Sequence, residues 1–172
     1  MRTLLNVVAL LALAVWFGAL VFFGVLAQTA FTVLPPLFAD QPQGFHAAGL
    51  VVGTALGRLH YLGLICGIVF LLATFALGRA ERFKTLLPQI GLAAVMLLLT
   101  MYSQFSIIPR MNTARASVGG VVEAVPHDNP GYQVFQNLHL QSTRVEGGVL
   151  LCGLLAFCFA VRAAEMQARV AR

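Results

Sequence analysis

The chain alternates between long apolar stretches and short polar ones, and the lengths of the apolar stretches predict its architecture. A helix needs roughly 20 mainly apolar residues to cross a bilayer. Four stretches meet that requirement, over residues 3–27, 49–77, 86–108 and 134–161. The pattern therefore predicts four membrane-spanning helices.

Helix-breaking residues separate the four stretches. Pro35-Pro36 follows the first, Gly78 and Pro88 bracket the connection between the second and third, and Pro109 is expected to end the third. The segment 109–133 contains Gly119-Gly120 and further prolines, so we expect an external loop there.

Composition agrees with this pattern. Hydrophobic residues make up 59% of the 172 and charged residues only 10%, whereas a soluble domain is about a quarter charged. We therefore expect an all-α fold, an integral membrane four-helix bundle in a single domain over 1–172, with the lipid bilayer as its solvent. The N-terminal apolar run is too long for a typical signal peptide, so we expect it to be retained as the first span.

Basic residues predict the orientation. They collect on one side of the predicted bundle, at Arg2, Arg79, Arg82, Lys84, Arg162, Arg169 and Arg172. Basic residues favour the cytoplasmic side, so both termini are expected there, in a bacterial inner membrane. Because these residues lie at helix ends, they indicate topology signals and contacts with anionic lipid, not a nucleic-acid partner.

Polar side chains of three predicted helices fall at similar heights. Counted from the predicted inner helix ends at about 1.5 Å per residue, all lie about 22 to 33 Å up, near the external edge of a core about 30 Å thick. They are His139 and Glu146 on the fourth helix, Arg58 and His60 on the second, and Tyr102 and Gln104 on the third. We expect one polar layer in the outer leaflet.

Helical spacing orients part of this layer. His139, Ser142 and Glu146 are spaced i, i+3, i+7 and so share one face, while Arg144 points elsewhere. A lone carboxylate at this depth is costly, so Glu146 is expected to pair with another helix. Arg58 is the first candidate partner and His60 the second, and Arg110 could cap the layer from above.

Three interpretations of the layer stay open. It can be an interhelical clasp that binds nothing, or a site for a ligand, an ion or a proton. His60, His139 and Glu146 are then the candidate metal ligands. It can also hold haem or chlorophyll through His60 or His139, since two histidines at similar depth could ligate one tetrapyrrole. His46 and His127 are expected to be ordinary surface residues.

Glycines on the second helix predict close packing. Gly49, Gly53 and Gly57 recur every four residues, the small-residue spacing that lets a neighbouring helix approach, inside the bundle or between protomers. A homo-oligomer or a larger membrane complex formed through this helix is therefore a possible partner. No motif of a soluble enzyme is present, so we expect no catalytic activity. The three cysteines lie in apolar runs without metal spacing and indicate packing.

Several stretches resemble a known family. They are Trp16-Phe17-Gly18 and Phe22-Phe23 on the first helix, YSQFSIIPRMNTAR from Tyr102 to Arg115, and FQNLHLQSTRVEGG from Phe135 to Gly148. Together they resemble the four-helix membrane domain related to transmembrane protein 205, whose bacterial members are of unknown function. Family members often carry asparagine where this chain has Glu146. The fold is distantly similar to copper-resistance protein D and to a haem-linked membrane oxidase, which implies a soft metal ion or haem as a possible cofactor.

The function expected from these patterns is that of an integral membrane protein with an outer-leaflet polar site, which binds or helps move a small ligand or metal ion. Two alternatives remain. One is a non-catalytic accessory subunit of a larger bioenergetic membrane complex. The other is a haem- or chlorophyll-binding membrane protein.

Overall fold

The computed structural model describes residues 2–78 and 83–170. Five α-helices account for most of them: α1 (Arg2–Val33), α2 (Gln41–Gly78), α3 (Phe83–Tyr102), α4 (Ile108–Ser117) and α5 (Pro130–Val170). A π-helical turn, Ser103–Ile107, joins α3 to α4, and short 3-10 turns lie at Pro35–Leu37 and Val122–Ala124. These residue ranges contain no β-strand, and the all-α prediction is confirmed.

Four helical stretches are long and apolar enough to cross a membrane. They run over Arg2–Leu37, Gln41–Gly78, Leu86–Ser117 and Pro130–Ala163. Large apolar side chains face outward along them, Leu72 and Leu98 each being 66% exposed, as expected where lipid is the solvent. The predicted four-helix membrane bundle is confirmed.

The observed helices are longer than the predicted spans. At 38 residues, α2 is about 57 Å long, against a hydrocarbon core of about 30 Å. The extra turns of α1, α2 and α4 all lie at the end of the bundle that carries the connections 34–40 and 118–129, which we call the loop-rich end. The opposite end carries the α2–α3 connection.

The third span does not end at Pro109, so that prediction is wrong. Proline normally disrupts a helix because its ring clashes with the carbonyl four residues back. Here the π turn widens the helix just before the proline, and the Ile108 N–H bonds to the Ser103 carbonyl five residues back. Pro109 then occupies the first turn of α4, where it is tolerated. The predicted loop 109–133 is accordingly shortened by this helix.

Two glycines end α4. Gly119 and Gly120 have φ values of +80° and +94°, in the left-handed region that favours glycine. The Gly120 N–H bonds to the Arg115 carbonyl at 3.0 Å, so Arg115 lies in the last turn of α4. The helix therefore ends at this glycine pair, inside the segment where a loop was expected.

The core forms where the spans pack around Trp16 of α1, which is 1% exposed. It lies against Gly63 and Gly67 of α2: a Cβ added at Gly63 would collide with the indole nitrogen, and one at Gly67 would lie 2.7 Å from the ring. Met96 and Val149, both fully buried, complete the contact from α3 and α5. Close packing therefore occurs at Gly63 and Gly67.

The predicted packing role of the outer glycine stripe is wrong within the bundle. A Cβ at Gly53 or Gly57 would meet nothing within 4 Å, and one at Gly49 would meet only the Arg115 guanidinium at 3.7 Å. The helices diverge at this height and leave space.

The predicted orientation remains a prediction. Arg79, Arg82 and Arg172, which contribute to it, lie outside the described residues.

Candidate functional site

Four polar side chains from three helical segments meet inside the bundle. His60 of α2 lies between Gln104 and Glu146: its Nδ1 is 2.9 Å from Gln104 Oε1, and its Nε2 is 2.8 Å from Glu146 Oε1. The Ser103 hydroxyl donates to the same Glu146 oxygen at 3.0 Å. We call these four residues the clasp. The structure thus brings together His60, Gln104 and Glu146, three residues of the predicted polar layer.

The π turn presents two members of the clasp. A π turn inserts one residue into a helix and rotates the following side chains, and such turns are frequent at functional sites. Ser103 is fully buried here and Gln104 is half-buried. The same distortion that accommodates Pro109 therefore directs two adjacent polar residues into the bundle.

Both nitrogens of the buried His60 ring face oxygen acceptors. Its side chain is 1% exposed, and that of Glu146 is 15% exposed. With the Gln104 amide oxygen towards the ring, a doubly protonated imidazolium can donate to both oxygens, whereas a neutral ring can donate only once. The geometry therefore fits an imidazolium–carboxylate pair; with the Gln104 amide turned over, a neutral ring would donate to Glu146 and accept from that amide.

The second oxygen of Glu146 has no partner among the residues that the structure describes. Glu146 Oε2 is buried and makes no hydrogen bond to them. An unpaired buried oxygen of this kind costs free energy. The carboxylate is thus held on one side only.

Arg58 is not the partner of Glu146, so the first-choice pairing was wrong. Its side chain is exposed and lies with Leu50, Val51 and Thr54 along the outer face of α2. Residues two positions apart in a helix are about 200° apart around its axis. Because His60 faces the clasp, Arg58 must point away from it.

Tyr102 also lies outside the clasp. It is 40% exposed, and its hydroxyl accepts a hydrogen bond from Gln141 Nε2 at 2.9 Å. Arg110 and Arg144 are exposed as well, and Arg110 makes no recorded contact with the clasp. These three residues surround the bundle at the level of the layer or above it.

A cavity of about 590 Å³ opens above the clasp, towards the loop-rich end. Residues 20–31 of α1, 45–56 of α2 and 135–150 of α5 form its walls, and Met111, Arg115, Val122 and Glu123 form its roof. His139, Ser142 and Glu146 all line it, as their shared helical face predicted. Gly49 and Gly53 line it too, so the glycine stripe borders open space.

Apart from Ser142 and Glu146, the lining is apolar in its lower part, and it is mixed at the roof. Leu20, Leu56 and Leu150 lie near the clasp, while Arg115, Glu123 and His46 lie near the loop-rich end. The Arg115 guanidinium is 5.3 Å from the centre of the Phe135 ring, in the range of a cation–π contact. The His139 ring stacks on the same Phe135 ring, with ring centroids 6.3 Å apart.

The roof of the cavity was not predicted from the sequence. His46 was expected to be an ordinary surface residue, and no role was predicted for Arg115. A signal was present, because His46, Gly49 and Gly53 are spaced i, i+3, i+7 and share one face of α2. Small and polar residues on one face can indicate a cavity as well as a helix contact.

Metal ligation receives no support from this geometry. Among the residues that the structure describes, no group of three or more His, Cys, Asp or Glu side chains could hold a metal ion. His60 is 1% exposed and both its ring nitrogens are engaged, so it could ligate a haem iron only after leaving the clasp. His139 borders the cavity and is free of that constraint.

The fold and these side chains define a multi-pass integral membrane protein, with four spans around a polar clasp and an open cavity. A family model described as "Domain of unknown function (DUF4149)" matches residues 11–118. The chain belongs to that family. The match covers α1 to α4, which carry His60, Gln104 and Arg115, and stops before α5. No curated protein and no solved structure matched the chain.

Proposed function

We propose that this protein binds a small amphipathic molecule in the cavity at the loop-rich end. The observation that supports this proposal is the cavity itself. Its volume of about 590 Å³ lies within the roughly 300–1,000 Å³ of small-molecule sites, which are mainly apolar with a few oriented polar groups. The lining of leucine, phenylalanine and a few polar side chains fits that description.

The height of the cavity supports an amphipathic ligand. Ala163 packs with Leu77 and Leu86 at the opposite end of the bundle. Glu146 is 17 residues away on the same helix, about 25 Å along its axis, so it lies just inside a hydrocarbon core of about 30 Å. The cavity floor is then in the hydrocarbon and the roof at the headgroups. A molecule with one apolar and one polar end suits both.

The clasp has a supporting role in this proposal. His60 and Gln104 hold Glu146 and fix α2, the π turn and α5 relative to one another. Among the predicted ligand-binding residues, His139 and Ser142 border the cavity directly and are proposed to contact the ligand. Arg58 and Tyr102 are proposed to have no part in binding.

The test is photolabelling in liposomes with a diazirine-bearing long-chain alcohol. We expect saturable labelling of peptides within 20–31, 45–56 and 135–150. Leu150→Trp fills the cavity from α5 and should remove the saturable component. Leu151→Trp is the matched control, because Leu151 is 59% exposed and does not line the cavity. Equal labelling of the wild type and Leu150→Trp would refute the proposal.

The accessory-subunit alternative is supported by the outer face of α2. Arg58 is exposed there beside Thr54 and Ala55, and an exposed arginine on a membrane helix is often covered or paired. Co-purification of a partner that Arg58→Leu releases would favour this alternative. The resemblance to transmembrane protein 205, and haem, chlorophyll or soft-metal binding, stay predictions that absorption spectra and metal analysis can test.

A further inference from the structure

We infer that the bound amphiphile is anionic and that its head group binds Arg115 at the cavity roof. The inference rests on the proposed function and names the class of its ligand: a single-chain amphiphile ending in a carboxylate or a phosphate.

The contacts of Arg115 carry the inference. Its half-buried side chain lines the cavity, lies across Gly49 and stacks on Phe135. Among the described residues, the structure records no hydrogen bond or ion pair to its guanidinium. A guanidinium has five N–H donors arranged in a planar fork that matches a carboxylate or phosphate. The aromatic ring and the glycine hold this fork in place while its donors stay available.

The other charged groups around the cavity favour an anion over a cation. Glu146 borders the cavity, but its Oε1 accepts from His60 and Ser103, and its Oε2 is buried. Glu123 is exposed and forms no recorded ion pair with Arg115. The carboxylate at the floor is thus already engaged by His60 and Ser103, whereas an anionic head group would find Arg115 at the roof, with His46 and His139 beside the same space.

The apolar chain has a route into the bilayer between α1 and α5. These helices touch in their lower halves, where Phe17 stacks on Phe157 with centroids 6.4 Å apart and lies close to Gly153. Higher up they line opposite walls of the cavity, and a Cβ at Gly24 or Gly147 would meet nothing within 4 Å. A chain held by its head at the roof can therefore extend past the exposed Gly147 into lipid.

The experiment compares four photoreactive probes with the same diazirine-bearing chain: a fatty acid, an alkyl phosphate, an alcohol and an amine. Labelling of the cavity peptide 135–150 is divided by labelling of the lipid-facing stretch 61–65 in the same molecule, which corrects for membrane partition. The wild type should prefer the acid or the phosphate over the alcohol by about tenfold, the effect of one charge-assisted hydrogen bond. Whichever anion labels more strongly identifies the head group.

Arg115→Gln should remove this preference, while Arg115→Lys should keep part of it. Arg110→Gln is the matched control, because Arg110 lies on the same helix but is exposed and does not line the cavity. Equal labelling by all four probes, strongest labelling by the amine, or the same loss in Arg110→Gln would overturn the inference and leave the proposed function standing. Saturable labelling by none of the probes would overturn both.

Discussion

Replacing His60 with phenylalanine tests whether the clasp is a charged pair. The substitution keeps a ring of similar size in the core but removes two contacts, at 2.8 Å to Glu146 and 2.9 Å to Gln104. Glu146 would keep only the Ser103 hydroxyl. The carboxylate would then be buried without a counter-charge.

Two magnitudes separate a charged clasp from a neutral one. Interhelical hydrogen bonds in membrane proteins average about 0.6 kcal/mol, so losing two neutral ones should cost about 1 kcal/mol. Removing one partner of a buried ion pair costs about 3–5 kcal/mol. Because the His60 side chain is 1% exposed and that of Glu146 15% exposed, we expect His60→Phe to lower the free energy of unfolding by about 3 kcal/mol or more.

The assay is equilibrium unfolding in mixed micelles, followed by tryptophan fluorescence. The chain has one tryptophan, and Trp16 is 1% exposed in the core, so its emission reports loss of packing. Tyr102→Phe is the control: it removes one hydrogen bond in the neighbouring turn, to an exposed hydroxyl, and should cost about 1 kcal/mol or less.

A double substitution completes the test. His60→Phe combined with Glu146→Leu removes the uncompensated charge, so the double variant should be more stable than His60→Phe alone by at least about 1 kcal/mol. A loss near 1 kcal/mol for His60→Phe, or strictly additive losses in the double variant, would refute the charged clasp.

Two further predictions concern packing and topology. Gly63→Ala should lower the free energy of unfolding by about 1–3 kcal/mol, because the new Cβ would collide with Trp16. Gly57→Ala should be neutral or stabilising, since nothing lies within 4 Å of a Cβ at that position. Equal effects of the two substitutions in the same unfolding assay would contradict this packing. Asp128→Cys should react with an impermeant maleimide in intact cells and Glu165→Cys only after lysis, in a background without other cysteines. The reverse pattern would invert the expected orientation.

The four spans could be predicted from sequence because apolar length alone determines them. The height of the polar layer followed as well, since the rise along a helix is constant. His60, Gln104 and Glu146 meet as their heights require. Distance along the axis is therefore the dependable part of such an argument.

Rotation about the helix axis was not available from sequence. α2 is apolar almost all round, so no polar face showed whether Arg58 or His60 pointed inward. Charge favoured Arg58 over His60 as the partner of a carboxylate. Because these two residues lie on opposite sides of α2, one of them had to face lipid or headgroups. The longer arginine side chain can reach headgroups from an outward position, whereas histidine cannot.

The π turn and the cavity escaped prediction for a related reason. A proline in a sequence normally predicts the end of a helix. No local sequence feature indicates that a π turn upstream will relieve the clash between the proline ring and the preceding turn. The cavity arises because α1 and α5 converge near Phe17 and Phe157 and separate above them. Divergence of helices depends on packing across the whole bundle and leaves no mark in any one segment.

The clasp and Arg115 at the cavity roof should have separable roles, the clasp in stability and Arg115 in ligand binding. His60 binds Glu146 Oε1 and ties three segments together, so its loss should reduce stability. Arg115 makes no recorded hydrogen bond or ion pair with the described residues, so its loss should change ligand choice at little cost to stability. If His60→Phe instead altered the preference among probes while the unfolding free energy stayed constant, Glu146 would have to face the ligand, and the assignment of binding to the roof would be wrong.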